Sequence, residues 1–362
     1  MNPINVTSVE ATALELPLAR PISSALGVYP HVDCTVVRVH TDAGHVGTGF
    51  TACLGGKASG AIVHYIDHEL APAIIGENVL QPELLWHHMW GPNKARQRAG
   101  LGVWALSAVD IAIWDCVGKA AGLPLHTILG GYQQSVPVYG SGGWHSLSDQ
   151  ELVDECTKFA QLGIGAYKYK IGTDRDRDRT ALLRREMGPD FVLLADANQK
   201  FNVREALESA KMLAEYGVAW IEEPVVADST DDLAAVARSS AIPTAAGENN
   251  YFRWGFRELC ERKAADYLQP DVGRCGGVTE FRKIAALADS FGVSLTSHLW
   301  HELSISVVGA ARSGWACEYV ELIPSGALTR SFDVVDGHLA VPDVPGHGVE
   351  FTPDAMSRYC VA

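Results

Sequence analysis

Between residues 166 and 224 the chain reads A-Y-K-Y-K (166–170), F-V-L-L-A-D-A-N (191–198) and V-A-W-I-E-E-P (218–224). Each is a short run of strand-forming residues that closes on a charge, and helical periodicity fills much of the chain between them. The pattern continues downstream as P-T-A-A-G-E-N (243–249), Y-L-Q-P-D-V-G (267–273) and S-L-T-S-H-L-W (294–300). Lys170, Asp196, Glu222, Glu248, Asp271 and His298 therefore follow one another at gaps of 26, 26, 26, 23 and 27 residues. That is about the length of one strand–helix unit in a closed parallel barrel, where roughly 250 residues make eight units. Each residue lies at or just after the C-terminal end of its apolar run, the end that faces the mouth of such a barrel.

Working outward, Val136–Tyr139 and Ala316–Val320 complete a count of eight strands from Val136 onward, which favours a closed barrel over an open doubly wound sheet. Ser148 with Glu151, and Asn202 with Glu205, read as capping boxes that open helices. Upstream, Val6–Leu16, Cys34–His40 and His45–Phe50 read as strands, the last two joined by a turn at Asp42-Ala43-Gly44. Ala19–Val32, with Pro21, Gly27 and Pro30, reads as a long loop. Ala61–Ile75, Pro82–Trp90 and Leu101–Ala121 read as helices, and Gly122-Leu123-Pro124 stops the last. The expected class is α/β: a modified TIM barrel over 128–324, with an N-terminal α+β capping domain over 1–127. The segment 325–362 returns to β with a turn at Asp336-Gly337 and is expected to pack back on that cap.

Composition narrows the function. An apolar fraction of 47%, a charged fraction of 20% and a net charge of −14 describe an ordinary globular chain with no nucleic-acid surface. No unbroken apolar stretch reaches the ~20 residues that a membrane span requires. The first twenty residues lack a signal-peptide pattern, and the eight cysteines are scattered without a C-x-x-C pair, so a cytoplasmic enzyme with free thiols is expected.

Asp196, Glu222 and Glu248 on successive strand ends suit a hard divalent cation, which prefers oxygen ligands. Solvated rim acids are the plainer reading, and three in successive units argue against it. Glu223 is expected on the other face of its strand, paired with a cation. Lys168 and Lys170 are two apart and share a face, so each ammonium is expected to lower the other's pKa toward that of a general base. His298 and Asp271 lie on neighbouring strands, where a carboxylate fixes the tautomer of a histidine and raises its basicity. Glu318, in C-E-Y-V-E, falls on the last strand, placed to donate a hydrogen bond if protonated. Arg96 and Arg98 read as solvated helix-end cations before a distal-carboxylate site, and His64 with His68 as a surface pair before a metal pair.

The ordered set K-x-K, D-A-N, E-E-P, G-E-N, P-D-x-x-x-x-G-G-V-T and S-H-L resembles the mandelate racemase group of the enolase superfamily along nearly the whole chain. That resemblance implies a (β/α)7β barrel with a cap. It implies Mg2+ on Asp196, Glu222 and Glu248, with Lys170 as the base on one face of a carboxylate substrate and Lys168 beside it. It places His298, oriented by Asp271, on the other face, Glu318 on a carboxylate oxygen, and Asn198 and Ser141 against the substrate. It further implies a homo-oligomer, from dimer to octamer, and a small-molecule carboxylate substrate. Two outcomes fit one α-proton abstraction: dehydration of a sugar acid to a 2-keto-3-deoxy acid, or racemisation or epimerisation of a 2-hydroxy acid such as mandelate. The hydrogen-bonding groups in 19–32 and in Y-G-S-G-G-W-H (139–145) favour the sugar acid. A non-catalytic barrel used for binding or structure is the reading of another class, and the intact acid, base and ligand set argues against it.

Overall fold

The computed structural model describes residues 2–361. Three antiparallel strands open the chain: β1 (Val6–Ser24), β2 (Gly27–Thr41) and β3 (Val46–Leu54), in that order across the sheet. Helices Ser59–Tyr65 and Leu101–Ala121 pack on this sheet, and Pro82–Trp90 packs against the second of them. Gly47 and Gly49 of β3 let the helix Leu101–Ala121 approach closely, since a Cβ at either would lie 2.0–2.2 Å from the carbonyl oxygens of Ala112 and Ala108. By length and composition that helix could span a membrane, but most of it is buried in the protein core. It has the bounds read from sequence, Asp110, Asp115 and Lys119 interrupt its apolar residues, and packing accounts for its apolar character.

Eight parallel strands follow: β4 (Ser135–Ser141), β5 (Ala166–Lys170), β6 (Val192–Asp196), β7 (Val218–Glu222), β8 (Thr244–Ala246), β9 (Tyr267–Leu268), β10 (Ser294–Thr296) and β11 (Gly314–Tyr319). Each pairs with the next, and β11 pairs with β4, so the sheet closes. One helix of ten to fifteen residues lies between each pair of successive strands, which gives a (β/α)7β barrel. Both capping boxes form, with Ser148 accepting from the Glu151 N–H and Asn202 from the Glu205 N–H. Gly122 caps its helix in the left-handed conformation.

Beyond the barrel, β12 (Val334–Val335) and β13 (His338–Ala340) form a hairpin that pairs antiparallel with β4. The final residues lie against the N-terminal layer. Val361 N–H donates to the Ala13 carbonyl, and His347 N–H to the Asp115 carboxylate, which also takes the Thr48 N–H.

The segment read as a loop over 19–32 is instead the far end of a long hairpin, with β1 and β2 continuing to a turn at Ala25-Leu26. Pro21 and Pro30 misled the reading. They fall in a register irregularity between the pairs Pro17↔His31 and Ile22↔Tyr29, where a missing ladder N–H costs nothing.

Candidate active site

The barrel interior explains why the charges gather. Tyr139, Leu194, Trp220, Ala245 and Ala316 point inward and form a buried apolar plug. Strand side chains alternate, so the residue two places further along β4, β6, β7 and β11 also points inward, one level nearer the mouth. Those residues are Ser141, Asp196, Glu222 and Glu318. On β5 the same alternation sends Lys168 and Lys170 inward. Tyr167 and Tyr169 point outward, where their hydroxyls bond Glu155 and Thr180. The ladder sets Lys170 beside Asp196 and Asp196 beside Glu222, at one height in the barrel.

Asp196, Glu222 and Glu248 are buried, and each offers an oxygen within 4.8 Å of the others. Neighbours aim them. Asn198 donates its backbone N–H to Asp196 at 2.8 Å and its side-chain amide at 3.2 Å, and Gln269 donates to Glu222 at 2.7 Å. Lys170 Nζ lies 2.5 Å from Asp196, and Lys168 Nζ lies 2.6 Å from Glu222 and 2.8 Å from Glu318. Glu318 also accepts the Leu299 N–H at 2.7 Å.

These contacts reverse one electrostatic expectation. Burial lowers the Lys168 pKa, but the carboxylates of Glu222 and Glu318 outweigh it and hold the ammonium well above the ordinary lysine value. Lys170 is raised as well, because Asp196 outweighs burial and the repulsion of Lys168. Mutual repulsion of the lysines is present and loses to the acids.

His298 donates or accepts at Nδ1 with Asp271 Oδ2, 2.8 Å away, and its Nε2 is 3.2 Å from Glu248. Burial, together with the positive charges of Arg274, Lys168 and Lys170, drives His298 well below its ordinary value. A rise in basicity was expected from Asp271, yet burial has lifted that carboxyl itself to about 7, against the pull of Arg274 and the Gly273 N–H. Neutral imidazole is the form this pocket favours.

Lys170, Asn198, Glu248 and His298 line one cavity of about 250 Å³. Ser24 and Tyr29, from the tip of the β1–β2 hairpin, also reach it and bond each other at 3.0 Å. Ser141 Oγ and Asn198 Oδ1 are buried without a hydrogen-bond partner among the described residues. Buried polar atoms are rarely left so, and both lie at the level of the acids. Backbone φ is positive at Asn198, Gln199, Glu223, Leu299 and Trp300, so left-handed residues cluster just past the strand ends.

Four groups escaped the sequence reading. Arg274 and Trp144 line the cavity, and the Lys170 ammonium sits 5.0 Å from the Trp144 ring centre. Gln269 and Asn249 serve the acids. The signal for Gln269 was its place two residues before Asp271 on the same strand end. Glu223, expected against a cation, instead accepts both of its hydrogen bonds from Asn249, at 2.9 and 3.0 Å. Arg96 pairs with Glu69, and Arg98 lines a separate surface groove with Trp90 and Trp254, so neither is in the cavity. His64 and His68 stack on each other, ring centres 4.2 Å apart.

Comparison with known proteins agrees with this architecture. Residues 6–130 match the model of the mandelate racemase/muconate lactonizing enzyme N-terminal domain, and residues 151–355 that of the enolase C-terminal domain-like family. The chain is 32% identical to 3,6-anhydro-alpha-L-galactonate cycloisomerase of Streptomyces coelicolor, covering 98% of this chain and 99% of that protein. It is 30% identical to L-talarate/galactarate dehydratase of Salmonella typhimurium, over 95% of this chain and 87% of the relative. A crystal structure of a racemase from Streptomyces coelicolor A3(2) with bound magnesium superposes with a TM-score of 0.95 at 31% identity, covering 98% of this chain and all of that one. With both halves matched, the chain belongs to the mandelate racemase and muconate lactonizing enzyme family of the enolase superfamily.

Proposed function

We propose that this protein abstracts the α-proton of a sugar acid and expels the β-oxygen, giving a 2-keto-3-deoxy acid, with Mg2+ as its cofactor. One observation carries the reading: Lys170 and His298 face a single cavity from strands β5 and β10, and the carboxylates of β6, β7 and β8 lie between them.

The fit to a metal rests on the donor set. Three buried carboxylates converge, all their donors are hard oxygens, and among the described residues two lysines, Lys168 and Lys170, balance these acids and Glu318. That set suits Mg2+. When bound, the ion supplies Lewis-acid stabilisation for the negative charge that builds on the substrate carboxylate, and it draws carboxylate charge away from the lysines.

The protein's own groups do the rest. Lys170, freed of its proton, takes the α-proton, and Trp144 walls its side of the cavity. Lys168, bridged to Glu318, holds the carboxylate end, with Ser141 and Asn198 offering their unpartnered oxygens to substrate hydroxyls. His298, held at Nδ1 by Asp271, presents Nε2 from the other side; it takes up a proton there and gives it to the departing β-oxygen. Ser24, Tyr29 and Asn249 give the far end of the cavity a hydrogen-bonding character that suits a polyol better than an aromatic ring.

The cycloisomerase relative favours a second version of the same chemistry. If the β-oxygen belongs to a ring, its expulsion opens the ring and no water leaves. Incubation of the Mg2+-loaded protein with open-chain sugar acids, sugar lactones and anhydro acids tests both, with semicarbazide trapping of keto acid and mass analysis. A keto acid lighter by one water means dehydration, and one of unchanged mass means ring opening. Exchange of the α-proton without keto acid would mean a racemase or epimerase and would overturn the elimination.

A further inference from the structure

Among the described residues Arg274 is the one arginine that lines the cavity, and no part of the proposed reaction uses it. It is nine-tenths buried, and its Nε has no hydrogen-bond partner. That Nε lies 3.4 Å from Asp271 Oδ2, the oxygen that also holds His298 Nδ1. Asp271 Oδ1 is taken by the Gly273 N–H at 2.8 Å. Among the described residues, Arg274 is the one arginine or lysine within ion-pair distance of this fully buried carboxylate, whose other side-chain partner is the His298 imidazole. The guanidinium also lies over the ring of Trp104, 4.9 Å from its centre, on the long helix Leu101–Ala121. Thr51 of β3 anchors the same turn by donating to the Gly273 carbonyl at 2.8 Å.

We infer that Arg274 is a positioning residue. It clamps Asp271, and through Asp271 the imidazole of His298, and it ties that pair to the N-terminal helix. A planar guanidinium can present an edge to a carboxylate while its face stacks on an indole, and a lysine ammonium can do only the first. Without Arg274, Asp271 is a buried carboxylate answered by His298 alone, free to turn and take the imidazole with it. The effect falls on the step given to His298 and spares the proton transfer at Lys170. This inference rests on the proposed reaction for its kinetic arm only.

The test uses Arg274→Met and Arg274→Lys in the full chain, each alone and combined with Asp271→Asn. Keto-acid formation by Arg274→Met is expected to fall about 10–100-fold in kcat, the usual cost of losing a group that orients an active-site histidine, with KM unchanged. Exchange of the substrate α-proton at the Lys170 face persists, and Arg274→Lys recovers part of the loss. In the Asp271→Asn background, Arg274→Met adds little, because both changes act through one carboxylate. Full additivity, or an effect confined to KM, would show that Arg274 touches substrate instead and would overturn the inference. A second readout needs no substrate: the proton resonance of the His298 Nδ1–H bond, which Arg274→Met is expected to shift or broaden away. If that resonance is unchanged in a folded variant, the clamp is refuted whatever the reaction proves to be. If the clamp registers there while the unmutated protein acts on no sugar acid, only the proposed reaction fails.

Discussion

Each lysine of the site is answered by an acid, and this balance sets what removing or adding charge does. Lys168 and Lys170 offset part of the charge of Asp196, Glu222, Glu248 and Glu318. A divalent cation that binds the folded protein and not the unfolded chain stabilises it by about 2.7 kcal/mol at one hundred times its dissociation constant. Added Mg2+ is expected to raise the melting temperature by a few degrees, and Glu248→Gln to abolish the rise, as thermal scans with and without chelator would register. Lys170→Met should lower kcat by about 10²–10⁴, the range for losing a general base, while Mg2+ still raises the melting temperature. A variant that keeps its rate would remove Lys170 from the chemistry. The acids, lysines, His298 and Asp271 were legible because each ends a strand at a regular interval. Their ionisation was not legible, since it depends on oxygens that neighbouring strands bring within 3 Å. Arg274 and Asn249 were hidden for the same reason: nothing in their local sequence says what they face, whereas Gln269 had its place two residues before Asp271.

Turns and helix contacts place the site, and two are open to single substitutions. Gly143 has φ +60°, and a Cβ there would lie 2.3 Å from Tyr169 Cβ. Its carbonyl accepts the Lys170 N–H and an Arg179 N–H. Gly143→Ala is expected to cost about 2–4 kcal/mol through left-handed strain and overpacking, and to lower activity by shifting Lys170; chemical unfolding and kcat check both. Asp110, on Leu101–Ala121, accepts from the N–H and hydroxyl of Thr279, at the start of the barrel helix Gly277–Phe291. Burial raises its pKa from 3.8 to about 7, against the pull of those bonds. The folded state therefore holds this proton more tightly than the unfolded chain does. Below pH 3.8 both states are protonated and nothing is lost. As pH rises from there to about 7 stability falls, and above about 7 the full cost is present, on the order of 2–4 kcal/mol. Stability of the wild type relative to Asp110→Asn should drop over that interval in urea titrations, and a flat difference would contradict the shift. Strand and helix periods made most elements readable, including both capping boxes. The β1–β2 hairpin was not, because its prolines mark a loop in sequence and sit at a register irregularity in space.

At the scale of the molecule, the barrel supplies a ring of inward positions and the N-terminal hairpin supplies part of the cavity wall. Strand count and the order of charges made the closed barrel legible in the sequence. The reach of Ser24 and Tyr29 into the cavity was not, since it depends on how the hairpin lies over the barrel mouth. The central claim is that Lys170 and His298 work on one α-carbon from two sides. Proton NMR in D2O tests it most directly, with the Mg2+-loaded protein, a panel of sugar acids, and the Lys170→Met and His298→Asn variants beside it. The account predicts a substrate whose α-proton is lost with formation of keto acid. It predicts that Lys170→Met abolishes both, and that His298→Asn keeps solvent exchange while keto acid fails to form. Absence of exchange with every acid in the panel, or keto acid formed undiminished by either variant, would contradict it.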